Sequence, residues 1–258
     1  MEDIDSLRKF LDYPKDIVIF SHRNPDGDAI GSSMGLKLYL ENYGHRVDIV
    51  FPSEFPSILT FLPKTDDIVI FDFEKERVQN IIDKCEMMFF LDFSSLDRVD
   101  NIGTLIIEKN VPKVHIDHHL DPEPIADYVL SDSEASSTSE LVYRFFELFD
   151  NAKYINSKVA ECLMTGIISD TGSFRYSVTP ETFRVSSELM KTGLDLTSLQ
   201  NHIYNSYSEK QLRLVGYVIH NKLEIIPEYK TAIMSLSKQD YKDFNIQREI
   251  LKDWLIIC

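Results

Sequence analysis

The chain has 258 residues, enough for one large or two modest cores, and its 43% hydrophobic and 27% charged residues are ordinary for a globular protein. Its 27 basic against 42 acidic residues leave a net charge of −15, which disfavours a general binder of long nucleic acid because an acidic surface repels a phosphate backbone. The chain lacks the run of about 18 apolar residues that spans a membrane, and the acidic opening MEDIDSLRKF lacks the basic-then-apolar order of a signal peptide, which predicts a cytoplasmic location. Cys85, Cys162 and Cys258 are widely spaced and odd in number, and suit neither a disulfide framework nor a CxxC zinc site.

In chain order, Ile17–Phe20 (IVIF) is a predicted buried strand, followed by a helix over Ala29–Tyr43 with Gly44 just past its end. Val47–Phe51 and Ile68–Phe71 are predicted strands, Glu74–Lys84 a helix, Met87–Leu91 (MMFFL) a strongly apolar strand, Val99–Asn110 a helix and Val114–Ile116 a short strand. Strands alternating with helices predict an α/β fold, with a mainly parallel sheet covered by helices on both faces. Ser137 and Glu140 have the spacing of a capping box that opens a helix over Thr138–Phe149. Ser157–Ser169 and Glu181–Thr192 are further predicted helices, the second ended by Gly193. Asp195–Leu212 reads as a polar, partly helical connector, and KLEIIPEYKTAIMSLS from Lys222 as a hairpin opening a second domain. The domain division read from this pattern is 1–190, a connector over 191–215, and 216–258.

The chemistry is concentrated in Asp and His residues at the ends of these elements. In SHRNPDGDAIGS, His22, Asp26 and Asp28 are predicted in a loop directly after the Ile17–Phe20 strand, where ligands of open parallel sheets sit. Two carboxylates one residue apart can face different ions, and Gly27 between them is expected to permit a turn that a β-carbon would hinder. Asp92 ends the MMFFL strand and needs a partner, because an unpaired buried carboxylate is costly. Asp117-His118-His119 ends the Val114–Ile116 strand, and Asp170 ends a helix before Thr171-Gly172. Carboxylates with some imidazole suit hard or borderline divalent cations better than a thiolate zinc site does.

These residues, His22-x-Asn24-Pro-Asp26-Gly-Asp28, Asp92, Asp117-His118-His119 and Asp170-Thr171-Gly172, match in order the motifs of the DHH phosphoesterase superfamily. Over roughly residues 15–195 the chain resembles its bacterial short-oligonucleotide nucleases that also dephosphorylate 3′-phosphoadenosine 5′-phosphate, with DTGSFRYSVTPET (170–182) especially similar. The resemblance implies a catalytic domain with two divalent cations, Mn²⁺ preferred and Mg²⁺ or Co²⁺ as substitutes. His22, Asp26 and Asp92 would hold one ion, Asp28, Asp92, His118 and Asp170 the other, with Asp92 as the bridge. Such a pair activates a water for in-line attack on phosphorus.

His119 would then contact a phosphate oxygen or the leaving group, and Asp117 would accept a hydrogen bond from a histidine. Arg175 is a candidate phosphate clamp. Asn24, Ser136, Ser137 and Thr171 are candidates for supporting or phosphate-binding positions, with helix capping the alternative for the two serines. The expected partners are short single-stranded RNA or small nucleotides, neither long duplex nucleic acid nor a membrane, with a homodimer left open. Inorganic pyrophosphatase and cyclic-dinucleotide phosphodiesterase are alternatives on the same fold. The family's second, substrate-binding domain carries a glycine-rich GGGH-type segment that is absent here, where only nine glycines occur and none are adjacent. The second domain is therefore expected to be incomplete, which makes a non-catalytic nucleotide- or metal-binding module a further alternative.

Overall fold

The computed structural model describes residues 3–149, 152–205 and 209–244. It divides into two units, Met1–Gln200 and Asn201–Cys258. The first runs α1 (Ile4–Leu11), β1 (Asp16–Phe20), α2 (Gly27–Tyr43), β2 (Arg46–Phe51), β3 (Val69–Ile70), α3 (Lys75–Lys84), β4 (Met87–Leu91), α4 (Ile102–Glu108), β5 (Lys113–Asp117), β6 (Tyr128–Ser131), α5 (Thr138–Glu147), α6 (Ser157–Asp170) and α7 (Pro180–Met190). The six strands are ordered β3-β2-β1-β4-β5-β6 and every neighbouring pair is parallel. This is the α/β sheet expected from the alternating pattern. The strand order reverses between β1 and β4, so the crevice beyond their carboxyl ends is the natural ligand position.

Strand alternation sends side chains to both faces. Val18, Phe20, Met88 and Phe90 join Val78 and Ile82 of α3 and Ile102 and Ile106 of α4 in one apolar cluster. Phe89 points the opposite way and meets Phe145 of α5 edge-on, with ring centroids 5.8 Å apart. Helices therefore cover both faces. Two expected elements differ in detail. The helix predicted from Val99 begins at Ile102, because Asp100 at φ +50° interrupts the run after a short 3₁₀ turn over Leu96–Val99. The strand predicted over Ile68–Phe71 shortens to Val69–Ile70.

Helix α2 is buried at every position from Gly27 to Leu40, because it is enclosed by the sheet, α5 and α6. Its glycines at 27, 31 and 35 fall four residues apart, on one helical face. A β-carbon at Gly31 would stand 2.5 Å from the Cys162 carbonyl oxygen and 2.7 Å from the Gly166 nitrogen, and one at Gly35 2.5 Å from the Leu163 side chain. One at Gly27 would stand 2.5 Å from Ser169 Cβ. The role of Gly27 thus differs from the sequence expectation. It has no left-handed backbone, and glycine is needed there for the close approach of α6.

The second unit is an antiparallel hairpin, β7 (Leu223–Ile226) with β8 (Thr231–Met234), preceded by α8 (Leu196–Tyr204) at the unit boundary and α9 (Glu209–Asn221), and followed by α10 (Lys238–Asp243). Within it Tyr217 Oη donates to Asp240 Oδ1 at 2.7 Å, and Lys222 Nζ lies 3.2 Å from Asp240 Oδ2. Residues beyond 244 in the expected second domain, Cys258 among them, lie outside the described residues. Cys85 and Cys162 are buried and unbridged. No helix among the described residues is long and apolar enough to cross a membrane.

At Gly31 the α2–α6 contact is backbone against backbone and has no flexible side chain to yield. Gly31→Ala is expected to cost about 1–3 kcal/mol of stability in urea denaturation, despite the helix-propensity gain of about 1 kcal/mol from glycine to alanine. An unchanged or raised midpoint would show that the helices separate without penalty.

Candidate metal centre

Each predicted metal-site segment is set by local backbone chemistry. After β1 the chain turns through Asn24, at φ +54°, whose N–H donates to Ser53 Oγ at 2.8 Å. Asp26 is the N-cap of α2, its Oδ1 accepting from the N–H groups of Asp28 (3.1 Å) and Ala29 (3.2 Å). Asp28 therefore lies in the first turn of α2 and not in a loop. Asp92 follows β4 directly with a left-handed φ of +65°, and its N–H donates to the Ile116 carbonyl at 3.2 Å. Asp117 is the last residue of β5, paired with Ser131, and Asp170 is the last residue of α6.

These elements bring the predicted ligands together. His22, Asp26 and Asp92 each place one donor atom within 4.8 Å of the others, and so do Asp28, His118 and Asp170. Asp92, His118 and His119 form a third such set. His22 Nε2 lies 3.4 Å from Asp92 Oδ2 and 4.0 Å from Asp26 Oδ2, while its Nδ1 lies 2.9 Å from the Arg23 carbonyl oxygen. A ring nitrogen facing a carbonyl carries the proton, which leaves the lone pair of Nε2 on the side of the two carboxylates, where a cation would be held. His118 Nε2 lies 3.2 Å from Asp170 Oδ2 and 3.6 Å from Asp92 Oδ1. His119 differs from both, because its Nδ1 is taken by Asp117 Oδ1 at 2.7 Å and its side chain is 44% exposed.

The electrostatics fit cations. Burial pushes the Asp28 carboxyl above its usual range. Burial and then the charges of Asp28 and Asp26 push Asp92 up further still. Asp170, part-buried beside Asp28, Asp92 and Asp26, is pushed up to about 10. Such crowding is expensive for carboxylates alone and is relieved by positive charge. Asp117 behaves oppositely. Burial works against its charge, yet the hydrogen bond from His119 holds it below the usual carboxylate range, and the same bond raises His119. An all-oxygen and imidazole donor set suits hard or borderline divalent ions.

Two supporting residues had escaped the sequence reading. The first turn of α5 points at the cluster. Thr138 N–H donates to Asp28 Oδ2 at 2.6 Å and Ser139 N–H to Asp28 Oδ1 at 2.9 Å. Thr138 Oγ1 also donates to Asp92 Oδ1 at 3.0 Å. One helix N-terminus thus steadies two buried acids. The available signal was the ASSTSE run, although nothing local says which carboxylates it meets.

Other candidates are placed differently from the phosphate-binding alternative. Ser137 is the N-cap of α5, accepting from Glu140 N–H at 3.1 Å, and Ser136 donates N–H and Oγ–H to Glu140 Oε2 at 3.2 and 2.7 Å. The capping box is therefore half formed, since the Glu140 carboxyl reaches Ser136 and not Ser137. Thr171 is fully buried, its hydroxyl donating to the Ile167 carbonyl at 2.6 Å and accepting from Phe174 N–H at 2.9 Å, so it closes the end of α6 instead of facing a ligand. Arg175 is exposed and forms no ion pair among the described residues. Asn24 is exposed at the turn before Asp26.

Residues 16–167, more than half of the chain, match the family model described as "DHH family, N-terminal domain". The chain belongs to the DHH family. Relatives include a "probable bifunctional oligoribonuclease and PAP phosphatase NrnA" of Streptococcus mutans, 32% identical over 89% of this chain and 69% of that protein. The Bacillus subtilis protein named "bifunctional oligoribonuclease and PAP phosphatase NrnA" is 27% identical over 80% of this chain and 62% of that one. The chain thus spans about two thirds of the length of these two relatives. A crystal structure of an exopolyphosphatase-related protein from Bacteroides fragilis superposes with a TM-score of 0.91 at 37% identity, covering 95% of this chain and 73% of that one. The DHH signature, Asp117-His118-His119, is the segment that divides in the structure into one cluster-facing histidine and one carboxylate-paired histidine.

The crowded acids predict a pH dependence of stability. A carboxyl whose folded pKa is raised binds its proton more tightly folded than unfolded. Its contribution is fully present below the unfolded pKa of about 4 and is lost as pH rises toward the folded value. His119, also raised, acts in the same direction, and buried His45, lowered by its burial, in the opposite one. The EDTA-treated protein is therefore expected to lose more Tm than the Mn²⁺-supplemented protein between about pH 5 and about pH 8, a comparison that cancels His45. Scanning fluorimetry with superimposable profiles in the two conditions would contradict the electrostatic account.

Proposed function

We propose that this chain is a two-metal phosphoesterase that hydrolyses short oligoribonucleotides to mononucleotides and dephosphorylates 3′-phosphoadenosine 5′-phosphate. The observation that carries the reading is the meeting of His22, Asp26, Asp28, Asp92, His118 and Asp170 at the β1/β4 switch point, beside a half-exposed His119 bonded to Asp117. In this reading His22, Asp26 and Asp92 hold one ion, and Asp28, Asp92, His118 and Asp170 the other, with Asp92 between them. Ions bound there would activate a water and neutralise charge on a phosphate, with Mn²⁺ the expected activator and Mg²⁺ or Co²⁺ weaker.

With Nδ1 committed to Asp117, the remaining N–H of His119 is available to a phosphate oxygen or to the leaving group. Asp117 keeps that ring oriented and favours its charged form. Exposed Arg175 supplies a guanidinium fork for phosphate. The names of the Streptococcus mutans and Bacillus subtilis relatives support the substrate class. The net charge of −15 also favours short over long substrates. The division of labour is part of the proposal: residues 1–190 carry the metal chemistry, 191–215 connect, and 216–258 contribute to substrate binding. The activity is assigned to the cytoplasm.

A chelator should abolish hydrolysis of a dinucleotide, and Mn²⁺ should restore it best. Asp92→Ala is expected to lower turnover by about 10³-fold or more with the fold retained, since the sheet does not need this charge. Asp92→Asn keeps the shape and should still lose metal. Retained activity in either variant, with metal content measured, would remove Asp92 from the centre.

His118 and His119 should separate in calorimetric Mn²⁺ titrations. His118→Ala is expected to weaken metal binding, whereas His119→Ala should keep the metal and lower the rate by about 10²-fold or more. The reverse pattern would exchange their roles.

A further inference from the structure

His118 and Asp170 form one side of a cleft of about 370 Å³. Its other lining comes from two segments that are separate in sequence, Ser133 to Ser136 ahead of α5 and Ser177 to Thr179 ahead of α7. Both segments are anchored by one side chain that lines neither. Glu140, fully buried in α5, uses a single oxygen, Oε2, to accept from Ser136 N–H (3.2 Å), Ser136 Oγ–H (2.7 Å) and Thr182 Oγ1–H (2.8 Å). Ser136 belongs to the first wall. Thr182 closes the second through a capping box with Thr179, whose Oγ1 accepts from Thr182 N–H at 3.2 Å. Arg144, 3.9 Å from Glu140 Oε1, adds a tie to the first wall through Asp132 at 2.8 Å.

We propose that Glu140 is a positioning residue that sets the width of the substrate cleft, and thereby substrate affinity, without touching the metals or the reacting phosphate. This rests on the phosphoesterase reading above. The physical reason is that a buried acceptor with three donors resists displacement, since both Ser136 donors would be left without a partner inside the protein and Thr182 would keep only Thr179. The metal side is insulated from the change. Asp28 is held by the backbone N–H groups of residues 138 and 139, and the α5 cap uses the backbone N–H of residue 140. All three survive removal of the Glu140 carboxyl.

The test uses the full chain loaded with Mn²⁺, as wild type, Glu140→Ala, Glu140→Gln and Thr182→Val. The substrates are a dinucleotide and bis-p-nitrophenyl phosphate, a small ester that makes few contacts with the cleft walls. Glu140→Ala and Thr182→Val are each expected to raise KM for the dinucleotide about tenfold with kcat within about threefold. Mn²⁺ affinity and kcat/KM for the small ester should stay near wild type. Glu140→Gln keeps an acceptor oxygen and should recover the wild-type KM. Thr182→Val, which deletes one hydroxyl, carries the test if Glu140→Ala does not fold. An unchanged dinucleotide KM in the folded tether variants overturns the proposal, as does a parallel loss of Mn²⁺ affinity and of activity on both substrates. A Glu140→Gln variant that behaves like Glu140→Ala would also overturn it, by making charge and not the tether the cause. If wild type cleaves the small ester but no dinucleotide, the substrate reading itself fails and this proposal falls with it.

Discussion

The close approach of α2 and α6 is the constraint on which the rest of the first unit depends. At Gly31 and Gly166 the two backbones come nearer than any side chain would allow. That approach places Asp28, in the first turn of α2, beside Asp170, at the last residue of α6. A β-carbon at Gly166 would stand 2.5 Å from Asp28 Oδ1 and would also collide with Ser139. The same glycines that seat α2 in the core therefore clear the space in which its carboxylate lies. Core packing and site geometry are one problem here, solved at a few positions with no side chain.

The second requirement is electrostatic. Buried Asp28 and Asp92 and part-buried Asp170 lie close together, and desolvation and mutual repulsion hold all three acids above their usual range. The N-terminus of α5 relieves part of this by giving two N–H groups to Asp28 and the Thr138 hydroxyl to Asp92. That relief is fixed and directional. It orients the carboxylates and leaves most of the charge to be balanced by bound cations. Stability is given up at the point where cation affinity is needed. The Asp117–His119 pair shows the complementary design, a buried acid matched by its own partner and so settled without a cation.

The walls of the adjoining cleft follow a related logic. They come from loops, which by themselves hold position poorly. A buried acceptor, Glu140, gathers both, so that loop geometry is referred to a helix packed in the core. Asp28 uses backbone donors of α5, and the cleft walls use a side chain of the same helix. One element thus holds both the carboxylate cluster and the cleft walls by separate contacts.

Much of this was legible in the sequence. Buried strands flanking helical periodicity defined the parallel sheet, and Asp or His at the ends of Phe20, Leu91 and Ile116 runs marked the candidate ligands, because apolar runs ending in charge are local patterns. The elements that escaped were short or overran an expected boundary: the eight-residue α1, the four-residue edge strand β6, and α9, which extends beyond a connector expected to be only partly helical. The role of Gly27 was misread because close approach between helices is a property of two segments, and one segment cannot show it. For the same reason Thr171 and Ser137 resemble ligand contacts in sequence but serve their own helix ends in space. Chemical type, spacing and strand-end position are written along the chain. Asp117 meets His119 only two residues away, although residue type does not say which of the two adjacent histidines turns to it. Which carboxylate meets the α5 N-terminus, and that Glu140 joins Ser136 to Thr182 across 46 positions from 136 to 182, were decided only by tertiary structure, because those contacts exist only after distant segments are packed together.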